Sequence, residues 1–198
     1  MKKKLILEFR KEAEPIIKRK GVKDLIEWLE NDTDFFTAPA STRFHGAHDH
    51  GLVMHTLSVL DSALMLFKSF ELEEEKIMKT SVVLCALFHD ICKANMYAKE
   101  KRNKKIEGRW EEIEVWSVKD RLPMGHGEKS VYLIQQFFSL SDEEAMAIRW
   151  HLGGFDPGVA FMFPSGGPSQ QAFRENKLVA LIAIADFASS YLVEKWEE

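Results

Sequence analysis

"LCALFHD", residues 84–90, decides how this chain folds and what it does: an apolar run ends abruptly in His89 and Asp90. Taking an ionised carboxylate out of water costs several kcal/mol unless a cation or several donors compensate it. A core segment that ends this way must therefore deliver Asp90 to a partner. Asp186 poses the same problem, because it sits inside "LVALIAIADFAS", residues 178–189.

Outward from this stretch, apolar spacing is mostly helical. Residues 51–70, "GLVMHTLSVLDSALMLFKSF", are apolar on most sides and predict a central helix enclosed by others. Residues from about 73 to 92 predict the next helix, with His89 and Asp90 near its end. Val22, Leu25, Ile26 and Leu29 recur at helical spacing after Gly21, and Pro15 separates them from a short helix starting near Leu5. Residues 1–40 are thus expected to pack as N-terminal helices on the core.

Residues 97–120 differ in kind. Gly108 follows a charged stretch, and Ile113, Val115 and Ser117 alternate with Glu112, Glu114 and Trp116, which predicts a small inserted β-hairpin. Helical signals return near 128–138. Ser141 and Glu144 then form a capping-box pattern that opens a helix closed by Gly153 and Gly154. A loop over 155–171 leads to a last helix from about 175 to 196. The expected fold class is all-α, a helical bundle in one domain over residues 1–198.

A chain of 198 residues with 45% hydrophobic content can fill one core, which excludes a disordered protein. The net charge of -4 argues against a protein that coats nucleic acid or an anionic membrane. "MKKKLILEF" imitates a signal-peptide start, but Arg10, Lys11 and Glu12 interrupt it early. No uninterrupted apolar run reaches the roughly 18 residues of a membrane span. The expected compartment is the cytoplasm. Cys85 and Cys92 lie about 10 Å apart along one helix, too far to bridge, and without a CxxC pair they provide no structural zinc site.

The seven histidines fall between residues 45 and 151. Singly, His55, His126 or His151 reads as an ordinary hydrogen-bonded residue. Taken with two aspartates in apolar settings, they point to a divalent ion, which compensates buried carboxylates and accepts neutral imidazole nitrogen.

In this order the residues resemble the HD superfamily of metal-dependent phosphohydrolases. The resemblance is carried by His55 in "GLVMHTLSV", His89 and Asp90 in "LFHDICK", His126 in "LPMGHGEKS", His151 in "AIRWHLGG" and Asp186 in "IADFASS". It implies an HD-domain helical bundle in which His55, His89, Asp90 and Asp186 hold one ion. Asp90 would bridge to a second ion held by His126 and His151. Two such ions activate a bridging water and stabilise both oxygens at phosphorus, so Asp90 is catalytic as well as a ligand. The mixed shell suits Mn, Fe, Co, Ni or Zn and disfavours Mg.

Lys93 matches the HDxxK variant of the family, and one helical turn past Asp90 its ammonium can neutralise substrate phosphate, a catalytic and substrate-binding role. The stretch "HGAHDHG" (45–51) leads into the helix of His55, which makes His48 and His50 candidates for phosphate contact and leaves His45 without a stated role. Arg43 and, less directly, Arg149 are candidate phosphate forks. The basic run 99–105 reads chiefly as a solvated hairpin tip, and "PSGGPS" (164–169) as a mobile loop with some character of a lid.

The expected function is hydrolysis of a phosphomonoester or phosphodiester in a small nucleotide or related metabolite. No stable nucleic-acid or membrane partner is expected. One alternative is an HD-type nuclease acting on RNA or DNA ends, although the chain has no room for an added nucleic-acid-binding domain. Another is a catalytically silent metal- or nucleotide-binding sensory module. The HD-GYP branch fits poorly, since Leu152 follows His151 where that branch has a second histidine, and a GYP tripeptide is absent.

Overall fold

The computed structural model describes residues 1–73, 77–156 and 167–194. Its elements run α1 (Lys2–Glu12), α2 (Val22–Asn31), α3 (Gly51–Ser69), α4 (Lys79–Phe88), β1 (Tyr97–Ile106), β2 (Arg109–Val118) and α5 (His126–Gln135). They continue with α6 (Asp142–Arg149), α7 (Pro168–Glu175) and α8 (Lys177–Ala188), which passes into a π-turn over Ser189–Val193. Among the described residues the fold is all-α apart from one antiparallel hairpin.

α3 runs through the middle, packed by α1, α4 and α8, while α6 closes the bundle against α4, α5 and α8. α4 is apolar on every side because every side is covered: Ser81 to Phe88 are all buried. α2 instead buries a single stripe, Val22, Leu25, Ile26 and Leu29. The N-terminal third is fastened by rings, with Phe9 edge-on to Phe35 and Phe36 and tilted against Phe88 of α4. These residues and α8 belong to one continuous apolar core.

α3 is 19 residues long and, by length and composition, apolar enough to cross a membrane, although its apolar residues do not form an uninterrupted run. Here its apolar sides are spent on α1, α4 and α8.

The hairpin spans the expected residues, pairing Tyr97 with Val118 and Ile106 with Arg109. Glu107 (φ 47°) and Gly108 (φ 87°) form its two-residue turn, where the left-handed conformation suits the twist of the strands. Two helix boundaries depart from expectation. α4 stops at Phe88 and a 3-10 turn over Ile91–Lys93 follows. Adjacent side chains on an α-helix diverge by about 100°, so His89 and Asp90 share one target only because the helix ends there. The last helix is also broken. α7 starts at Pro168 inside the expected loop, and α8 leaves it at 103° across Asn176, whose side chain caps Leu178 and donates to the Glu143 carbonyl.

Two glycines make close approaches that bear on the site. A side-chain carbon at Gly127 would collide with the Arg149 backbone, so glycine lets α5 meet the end of α6 and brings His126 near His151. At Gly51 the same atom would strike the Gly46 carbonyl, where the chain turns into α3 four residues before His55.

Candidate metal centre

Five elements send one group or more to the same spot. His55 comes from α3, His89 and Asp90 from the end of α4, His126 from the first residue of α5, His151 from just beyond α6 and Asp186 from α8. His55, His89, Asp90 and His151 are no more than 2% exposed, and Asp186 is 9% exposed. Asp90 sorts the four imidazoles between its two oxygens. Oδ2 lies 3.6 Å from Nε2 of both His55 and His89, while Oδ1 lies 2.7 Å from Nε2 of His126 and 3.6 Å from Nε2 of His151. Asp186 Oδ1 completes the first side at 3.2 Å from His55 Nε2.

The far side of each ring is pinned. His89 Nδ1 donates to the Ala86 carbonyl at 2.8 Å and His151 Nδ1 to the Ile148 carbonyl at 2.7 Å, each three residues back. A carbonyl only accepts, so the proton sits on Nδ1 and Nε2 is left to coordinate. His55 Nδ1 meets Glu194 Oε1 at 2.7 Å, and His126 Nδ1 lies 3.4 Å from Cys92 Sγ. The Nε2 atoms of His55, His89 and His151 are buried without a hydrogen-bond partner. Orphaned polar atoms of this kind are rare in folded proteins. Three of them aimed at one carboxylate fit the binding of a divalent cation.

The electrostatics agree. Burial opposes charge on Asp90, but Lys93, His89 and His126 hold its carboxyl well below the usual carboxylate range. Asp186 is likewise kept low, against burial, by the His55 ring beside it. Burial pushes His89 down to about 4, leaving it neutral. It also opposes charge on His55 and His126, yet Asp186 and Glu194 raise the first to about 9, and Cys92 and Asp90 raise the second to about 10. Without a cation these two rings therefore hold protons at pH 7.5, and a cation must expel them. Mn²⁺ binding is expected to release close to two protons and to tighten as pH rises. Calorimetry in buffers of different ionisation enthalpy checks this; heats independent of buffer exclude the proton exchange.

Lys93 Nζ lies 2.6 Å from Asp90 Oδ2, and its charge is maintained by Asp90 despite burial. The other anticipated phosphate contacts do not join the cluster. His48 Nδ1 faces the Asp49 carbonyl, and His50, with φ 70° at the entrance to α3, turns its ring to the Phe36 carbonyl. His50 lines a separate hollow with Lys99 and Trp116. Arg43 is exposed, its guanidinium 5.7 Å from the Phe44 ring. Arg149 pairs with Glu128 and Asp156. Lys99 and Lys101 pair with Asp49 and Glu112 on the exposed hairpin. Of the suspected lid, Pro164 to Gly166 lie outside the described residues, Gly167 caps α7 and Ser169 belongs to it.

Three neighbours escaped the sequence reading. The His45 ring lies 4.7 Å from that of His55, Cys92 borders His126, and Glu194 reaches His55. A carboxylate behind a coordinating histidine orients the ring and raises its basicity, and its loss lowers metal affinity about 10- to 100-fold. Glu194→Ala is expected to weaken Mn²⁺ or Co²⁺ binding in that range, measured by calorimetry. Unchanged affinity means that α3 alone orients His55.

The sequence profile of the HD domain matches residues 52–186, from one helical turn before His55 to Asp186 itself. No curated protein and no solved structure matches the chain. The match covers well over half of the 198 residues and contains all six converging ligand candidates. The chain accordingly belongs to the HD domain family, whose members are for the most part metal-dependent phosphohydrolases.

Proposed function

We propose that this protein hydrolyses a phosphomonoester or phosphodiester bond of a small nucleotide or related metabolite, with two divalent cations held around Asp90. The observation that carries the proposal is the division of four imidazoles between the two oxygens of that carboxylate, with three Nε2 atoms otherwise orphaned. His55, His89, Asp90 and Asp186 hold one cation, and Asp90, His126 and His151 the other. When bound, the cations supply Lewis acidity, making water more acidic and drawing charge from the phosphoryl oxygens.

The chain's own groups do the rest. Lys93 places its ammonium at the rim of the cluster, where it offsets the charge of substrate phosphate. His89 and His151, fixed by backbone carbonyls, keep the ligand positions from wandering. The imidazole-rich shell favours Mn, Fe, Co, Ni or Zn over Mg. The acidic chain supports a small phosphorylated substrate in the cytoplasm rather than a nucleic-acid or membrane partner.

The test is a chelator-stripped protein restored with Mn²⁺, Fe²⁺, Co²⁺ or Mg²⁺ and offered a panel of phosphoesters. Turnover that returns with the transition metals and not with Mg²⁺ is the expected result. Ligand binding without turnover assigns a sensory module instead, and shortening of labelled oligonucleotides assigns a nuclease.

A further inference from the structure

The cavity that opens on Asp186, His151 and Lys93 has a volume of about 670 Å³, within the roughly 300–1,000 Å³ of ligand pockets. A phosphoryl group at the cluster fills only the inner end. The outer wall is apolar and aromatic. Ile184, Phe187 and Tyr191 follow one another along α8 and its π-turn and are 52, 48 and 50% exposed. Phe155 stacks on Phe187, with ring centres 5.7 Å apart and planes at 18°, and the Tyr191 ring centre lies 4.5 Å from that of Phe187.

The polar side chains nearby are turned inward. Ser190 Oγ lies 3.5 Å from both Asp186 Oδ1 and His45 Nε2. Among the described residues the outer wall offers mainly ring faces and apolar side chains, with the Tyr191 hydroxyl at its edge. Three large, half-exposed side chains grouped beside a charged cluster form the kind of patch that marks a ligand-binding groove.

We propose that this outer cavity holds a flat aromatic group of the substrate, a nucleobase or its chemical equivalent, stacked on the Phe155–Phe187–Tyr191 ladder and selected by ring area rather than by edge hydrogen bonds. The inference rests on the phosphohydrolase reading only for the placement of phosphate at the inner end. It adds that purines are preferred to pyrimidines, that adenine and guanine are hardly distinguished, and that sugar phosphates lacking a base are poor ligands.

Binding, not turnover, tests it. Non-hydrolysable phosphonate analogues of adenosine, guanosine and cytidine 5′-monophosphate and of ribose 5-phosphate are titrated into the full chain with Mn²⁺ by calorimetry. These probes share one anionic head and differ in the flat group. The expected result is about tenfold tighter binding of the adenosine analogue than of the ribose analogue, from the stacking of one base. The guanosine analogue should fall within about threefold of the adenosine one. Phe187→Ala and Tyr191→Ala should each remove most of the preference and leave the ribose analogue unchanged; Phe187→Leu, which keeps apolar bulk without a ring, should behave as Phe187→Ala does.

Equal binding with and without the base overturns the inference. So does tighter binding of decyl phosphonate, or a full preference retained in Phe187→Leu. The phosphohydrolase reading fails separately, by absence of turnover in a protein that still prefers the base.

Discussion

Asp90→Ala is expected to abolish turnover and to leave the protein without tightly bound cation. Asp90 faces all four imidazoles, so its loss removes a ligand from both proposed positions at once. Metal-borne stabilisation of transition-state charge is worth several kcal/mol, which corresponds to a rate loss of about a thousandfold or more. The substitution also strands Lys93, whose ammonium is paired with Asp90 at 2.6 Å and only 12% exposed. Breaking a buried pair costs about 3–5 kcal/mol, so part of the effect could be loss of fold. Asp90→Asn separates the two causes, because it keeps the shape and much of the hydrogen bonding. Metal content by mass spectrometry, kcat and thermal melting are read together. An Asp90→Asn protein that melts near the parent, carries no cation and turns over at the background rate is the expected outcome. Retention of both cations, with kcat within tenfold of the parent, removes Asp90 from the bridging position.

The second large effect lies away from the site. Glu144 is 3% exposed, and its carboxylate takes both contacts of Arg19 Nη1 at 2.8 Å, the Ser81 hydroxyl at 2.9 Å and the Ser141 backbone N–H at 3.0 Å. It therefore ties the segment before α2, the start of α4 and the cap of α6 in one knot. Glu144→Ala leaves the buried Ser81 hydroxyl without its acceptor, leaves Arg19 with the Ser139 carbonyl but no carboxylate, and breaks the capping box. The expected cost is about 3–5 kcal/mol for the pair, with about 1 kcal/mol more for the cap. In a chain of this size that lowers the melting temperature by roughly 10 °C or more. Glu144→Gln should recover part of it, since the amide oxygen still accepts. A melting temperature within 3 °C of the parent for Glu144→Ala means that the knot is held by packing instead.

What could be read in the sequence was what chemistry makes contradictory. An aspartate after an apolar run is an energetic conflict visible without coordinates, and Asp90 and Asp186 both proved to face the same cluster of histidines. Alternation at 112–117 and the Ser141–Glu144 pair are local signals, and both elements formed where those signals lay. What stayed hidden depends on turns that periodicity does not encode. The 3-10 turn after Asp90 carries Cys92 toward His126. The π-turn after α8 swings Glu194 back to His55, although a regular helix places it about 80° from the direction of Asp186. His45 and His50 exchange their expected importance for a similar reason. The left-handed residue at 50 rotates its own ring outward, while the earlier part of the loop carries His45 against His55.

The ammonium of Lys93 against Asp90 has a consequence for how the protein is made. Small zinc domains remain unfolded until metal arrives, because nothing else balances their ligands. Here an internal positive charge already sits on the Asp90 carboxylate, so part of the cluster's negative charge is balanced before any cation arrives. Loading would then be an exchange, in which the lysine would yield one oxygen of Asp90 to the incoming ion. The charge released from Asp90 would then face the cavity that Lys93 lines.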